Sequence, residues 1–105
     1  MKNLLEPISP GEILQEEYMI PLALSQNQLA RDIDVPVGRV NQIIHGRRSI
    51  TADTALRLAR YFGTSPELWL GLQNDYDLRC AKRKLGSQIR RVHTYQESHA
   101  HRAAH

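Results

Sequence analysis

Apolar residues recur along this chain at three- and four-residue spacing, in blocks separated by short polar stretches that carry helix-starting signals. In Ser9-Pro10-Gly11-Glu12 a serine cap precedes a proline at the first helical position, with glutamate three residues after the cap. Ile8 and Ile13 flank it as a hydrophobic staple, and a helix is predicted from about Pro10 to Met19. Ser25-Gln26-Asn27-Gln28 repeats the box, stapled by Leu24 and Leu29, and opens a short helix to about Ile33. Pro36 opens a third helix that ends before Gly46. Thr51 caps a fourth that ends at Gly63, and Ser65-Pro66 opens a fifth.

No segment alternates apolar and polar with period two over a useful length, so no sheet is expected. Ala55, Leu58, Ala59 and Phe62 on the fourth helix, and Leu68, Trp69, Leu72 and Tyr76 on the fifth, fall at helical spacing and read as core. The expectation is an all-α fold: a compact five-helix domain within residues 1–85, an extended C-terminal helix running to Leu85, and a basic, flexible, His-rich tail over 86–105.

Bulk composition narrows the class. A chain of 105 residues, 41% hydrophobic and 24% charged, suits one globular domain. No apolar run is long enough to span a bilayer and the N-terminus lacks a signal-peptide core, so the cytoplasm is expected and no membrane partner. The single cysteine, Cys80, rules out an internal disulfide and any multi-cysteine metal site. The net charge of +3 is unevenly spread. Residues 1–78 hold seven Lys/Arg against ten Asp/Glu, while residues 79–105 hold seven against one. Within the first part the acids gather at Glu6, Glu12, Glu16 and Glu17, whereas Val35 to Ile50 carries Arg39, Arg47 and Arg48 with no acid. That local patch matters more for nucleic-acid affinity than the overall charge.

Only Asp34 and Val35 join the second and third helices, so the two turn sharply and pack at once as a helix-turn-helix. Ala30 supplies the small residue where they cross, and Leu29, Ile33, Val35, Val40 and Ile43 supply apolar contact. The turn needs a residue that tolerates positive φ. Glycine is usual there, and aspartate reaches that region more readily than most side chains.

The twenty residues QNQLARDIDVPVGRVNQIIH, Gln26 to His45, resemble the phage-repressor-like, XRE-type helix-turn-helix pattern without a gap. The surrounding SPGEILQEEY and ITADTALRLA…FGTSPELWL runs are similar to the HigA antitoxins of toxin–antitoxin modules, over about residues 8 to 85. The resemblance implies a sequence-specific repressor that represses its own operon and neutralises a RelE/HigB-like ribonuclease toxin. A solitary XRE-type regulator without a toxin is the alternative. Asp34 departs from the family's turn glycine, and the tail falls outside the pattern.

Successive residues 100° apart place Val40, Ile43 and Ile44 on one side of the third helix, Gly38, Gln42 and His45 opposite, and Arg39 and Asn41 between. Gln42 and Asn41 suit adenine, Arg39 suits guanine, and the methyls of Val37 suit a thymine methyl. Such repressors read bases mainly from the first half of this helix, so the resemblance adds Pro36, Val37 and Gly38. Ser25, Gln26, Asn27 and Gln28, at the start of the second helix, are assigned to DNA phosphate, with Arg47 and Arg48 clamping the neighbouring ones. His45 is assigned to phosphate too, although a contact with its own helix end serves it equally.

One such helix covers half a site, so a homodimer on a palindromic operator is expected. Trp69, Leu72, Tyr76 and Leu78 are candidates for the dimer interface, or else they complete the monomer core. No cofactor is implied. Arg39 and His45 are spaced as in some α-helical ribonucleases, but that spacing is common and no enzyme motif accompanies it, so no catalytic residue is assigned. His93, His99, His101 and His105 could gather a metal only on an ordered scaffold, and no metal site is assigned.

Overall fold

A computed structural model describes residues 6–103, and among these every regular element is helical. Helix α1 starts at Pro10–Ile13 and continues without a break as π-helical winding over Leu14–Met19. Helices α2 (Gln26–Asp32), α3 (Val37–Ile44), α4 (Ala52–Phe62) and α5 (Pro66–Leu85) follow. A 3-10 segment (Gly86–Arg91) then leads into α6 (Tyr95–Ala103).

The starts are set by the expected caps. Ser9 Oγ accepts from the Glu12 amide at 3.3 Å, Ser25 Oγ from Gln28 at 3.1 Å and Ser65 Oγ from Leu68 at 3.1 Å. Thr51 occupies the cap of α4, but its hydroxyl makes no capping bond; its carbonyl starts the helix by accepting from the Ala55 amide at 2.8 Å. Pro36 is the residue before α3 rather than its first member, with φ −61° and ψ 143°. Gly63 closes α4 at φ +73°.

The first helix departs from a plain α-helix, and the core explains why. Leu14 and Met19 are both buried, 1% and 3% exposed, although they are five residues apart. In an α-helix five residues turn through roughly 500°, which would place the two on different faces. Bonding of residue i to i−5, as between the Ile20 amide and the Gln15 carbonyl at 2.9 Å, widens the winding and returns both to the core.

Leu29, Ala30 and Ile33 of α2, Val40, Ile43 and Ile44 of α3, and Ala55, Leu58 and Ala59 of α4 close on Leu14, Met19, Ile50 and Trp69 in a single core. Trp69 is wholly buried at 0% exposure, its ring centroid 4.9 Å from that of Tyr18 and its Nε1–H donating to Thr64 Oγ1 at 2.8 Å. Of the two places expected for Trp69, a dimer interface or the monomer core, this is the core, and a side chain with no exposed surface has little to offer a partner. Leu72 packs partly against the same core and Tyr76 is half-buried, whereas Leu78 is exposed. Leu68, expected in the core, is exposed, and the buried Gln73 takes a place on that face instead. Its Oε1 accepts from the Ile50 amide at 2.8 Å.

Every residue from 81 to 98 is exposed, and the molecule is 66 Å long but only 31 and 21 Å in its other dimensions. Within the tail, α6 has a cap of its own. Thr94 caps α6 by accepting from the Glu97 amide at 3.0 Å, and Glu97 accepts in return from the Thr94 amide at 3.1 Å. The ring of His99 stacks on Tyr95 with centroids 3.7 Å apart. The side chain of His101 and all of His105 lie outside the described residues. Among the described residues, no three His, Cys, Asp or Glu side chains gather where a metal could sit.

Candidate nucleic-acid interface

Helix α3 divides as its sequence predicts. Val40, Ile43 and Ile44 are buried, while Val37, Gly38, Gln42 and His45 are exposed and Arg39 and Asn41 are half-buried at the flanks. Pro36 leads into the same surface and is exposed. A Cβ built on Gly38 would meet nothing within 4 Å, so the glycine leaves open space on the outward side.

The turn between α2 and α3 holds Asp34 at φ +61°, the conformation usually given to glycine. Arg57 of α4 secures it from below. Its Nη1 donates to the carbonyls of Ile33 at 2.9 Å and Asp34 at 3.0 Å, satisfying acceptors that the end of α2 leaves open. The Arg57 Nε–H donates to Asp53 Oδ1 at 2.8 Å. The two bonds to the turn join residues more than twenty positions apart, and no local motif marks them.

A second close approach fixes the inner side of α3. Gly11, buried in the first turn of α1, has its Cα against the backbone of Ile43 and Ile44, and a Cβ there would overlap the Ile43 carbonyl. The sequence reading treats Gly11 only as part of a capping run; its packing role shows only once the helices cross.

The outward polar groups are partly paired with one another. Asn41 Nδ2 donates to Gln26 Oε1 at 3.1 Å, linking the middle of α3 to the start of α2. An assigned base reader is thus tied to an assigned phosphate contact. Arg48 Nη1 reaches Gln42 Oε1 at 3.5 Å, Gln28 Nε2 donates to Asp32 Oδ1 at 2.7 Å, and Ser25 is engaged as the cap of α2. Asn27, Arg47 and Arg48 are exposed, beside the same helix ends. His45 donates from Nδ1 to the Asn41 carbonyl at 2.8 Å, which ties its ring to its own helix. Arg39 Nη1 donates to Asp53 Oδ1 at 3.1 Å. Asp53 is held below the ordinary carboxylate value of 3.8, first by the hydrogen bond from Arg57 and also by the charge of Arg39.

A helix pair crossing at a tight turn, with an outward row of amide, guanidinium and aliphatic groups and cations at its end, is a surface built to enter a DNA groove. The chain matches the helix-turn-helix family over residues 16–69 and belongs to it, in its XRE-type form. It is 51% identical over 81 residues to virulence-associated protein I of Dichelobacter nodosus, covering 77% of this chain and 75% of that one. Its structural neighbours include HigA antitoxins. An addiction module antidote protein of the HigA family from Coxiella burnetii superposes with a TM-score of 0.81 at 53% identity, covering 86% of this chain and 99% of that one. The Pseudomonas aeruginosa antitoxin HigA, solved with the higBA promoter, gives 0.81 at 41% identity, with 86% and 98% covered.

Proposed function

We propose that this protein is a HigA-like antitoxin: a homodimer that binds a palindromic operator, represses its own operon in the cytoplasm, and neutralises a RelE/HigB-like ribonuclease toxin. The observation that carries the DNA-binding part is the division of α3, whose apolar side is locked into the core while its exposed row is free of acids. Pro36, Val37, Gly38, Arg39, Asn41 and Gln42 face base edges in this reading. Ser25, Gln26, Asn27, Gln28, His45, Arg47 and Arg48 meet phosphate. The likeness to an antitoxin solved with its promoter supports the same assignment, and the likeness to HigA antitoxins supports the toxin role.

Repression follows from occupancy. Two copies of α3 one helical turn apart engage successive major grooves on one face of the duplex, and a promoter held in that way is closed to transcription. Arg39 and His45 are engaged with different partners, Asp53 and the Asn41 carbonyl, which favours their belonging to the recognition surface rather than to a ribonuclease site.

Titrating the purified protein against duplex DNA from upstream of its own gene tests the reading. The expected result is salt-sensitive binding that discriminates against scrambled duplex; Gln42→Ala relaxes the preference by about 1–3 kcal/mol at one base pair, while Arg47→Ala weakens all sequences alike. Equal affinity for every duplex at physiological salt overturns it. Co-purification with the product of the adjacent gene tests the toxin role separately, and failure there leaves a solitary regulator.

A further inference from the structure

One exposed carboxylate joins the recognition helix to the turn before it. Asp53 Oδ1 accepts from Arg39 Nη1 at 3.1 Å and from Arg57 Nε at 2.8 Å, and Arg57 in turn holds the carbonyls of Ile33 and Asp34. The Arg39 side chain is only 25% exposed, and its Nε is buried without a hydrogen-bond partner. Nε is turned away from solvent and Asp53 takes one N–H of Nη1, which leaves the second N–H of Nη1 and those of Nη2 outside these contacts. A long cationic side chain on a helix surface otherwise samples many rotamers and offers its charge to any phosphate it meets.

We propose that Asp53 is a positioning residue for DNA recognition: it holds Arg39 in one arrangement that presents the outer edge of its guanidinium to a guanine, and withholds its charge from phosphates of unrelated sequence. The inference rests on the DNA-binding reading above. A bidentate contact to guanine needs two N–H donors in one plane, and ordering them before encounter removes an entropic cost from the specific complex. The compensated charge adds little to non-specific binding, which depends on uncompensated cations. Asp53 need not touch DNA. Arg57 makes it an anchor, because its Nε bond at 2.8 Å still holds the carboxylate when Arg39 is drawn toward the groove.

The test uses the full chain and two fluorescent probes: a duplex that the wild-type protein selects from a randomised pool, and a scrambled duplex of the same composition. For Asp53→Asn the ratio of selected to scrambled affinity is expected to fall roughly 5- to 150-fold. The slope of log K against log salt on the scrambled probe is expected to steepen by about one, as Arg39 becomes available to phosphate. Asp53→Glu restores part of the ratio. In an Arg39→Ala background the ratio no longer responds to Asp53→Asn. A ratio unchanged in Asp53→Asn overturns the proposal, and so does an equal loss with and without Arg39, which would mark Asp53 as a purely structural support for α4. A wild-type protein without any ratio overturns the DNA-binding reading itself; a wild-type ratio preserved in Asp53→Asn overturns only the role of Asp53.

Discussion

Gly11 and Ile43 bring the first helix and the recognition helix into backbone contact, with the Cα of Ile44 2.8 Å from where a Gly11 side chain would begin. Backbone cannot retreat as a side-chain end can, so adding one methyl forces α1 and α3 apart. Gly11→Ala is expected to destabilise the fold by about 1–3 kcal/mol by overpacking, measured as a lowered urea midpoint. Equal stability would mean that α1 shifts without cost.

Gly38 poses the opposite case. A methyl there meets nothing, so Gly38→Ala should raise stability by about 1 kcal/mol through helix propensity, yet weaken DNA binding by holding the helix away from base edges. Thermal melts and titrations on the same preparation separate the two effects. Improvement in both would leave the glycine without a recognition role.

Two residues of α5 expected to behave alike should now part. Trp69→Ala opens the core beside Tyr18 and Phe62 and is expected to cost about 3–5 kcal/mol of monomer stability. Leu78 is 56% exposed and remains a proposed dimer contact, so Leu78→Glu should shift sedimentation toward monomer while the helical signal persists. An unchanged oligomeric state in Leu78→Glu would place the interface elsewhere.

Tyr61 links α4 to the end of α2 by donating its hydroxyl proton to Asp32 Oδ2 at 2.7 Å. That bond, first, together with burial and the nearby carboxylate charge, raises its pKa above the ordinary 10.0. A raised folded-state pKa contributes stability that is fully present below the unfolded value and is lost as pH rises through the folded one. Tyr76 is shifted the same way, chiefly by its hydroxyl's hydrogen bond to Cys80. Urea midpoints of the wild type should therefore fall as pH climbs past about 10, and Tyr61→Phe should fall less steeply over that window. Parallel curves for the two proteins would remove Tyr61 from the alkaline limb.

The readable parts of this fold are those whose cause is local. Ser9, Ser25 and Ser65 announce helix starts because a cap and its amide lie three residues apart, and the 100° spacing sorts α3 into a buried and an exposed side without knowledge of its neighbours. Asp34 could be placed at positive φ for the same reason. Contacts across the chain were not legible. Arg57 reaches the turn from more than twenty residues away, Gln26 finds Asn41 from fifteen, and neither pairing leaves a pattern in sequence. Trp69 sat between two readings because helical spacing identifies an apolar face without saying which other surface covers it. Helix α6 is a different case, since the Thr94-x-x-Glu97 box is a local signal, but the basic, His-rich composition around it masks it as a helix start.

The π-helical winding of Leu14–Met19 leaves α1 with one more residue than an α-helix of the same rise requires. Removing a single residue there would let the segment relax to ordinary α-helical bonding while the capped start at Ser9 and the contact of Gly11 with α3 keep their places. A deletion inside a helix normally rotates everything beyond it out of register. Here it would erase an insertion, and the helix can be shortened without being broken.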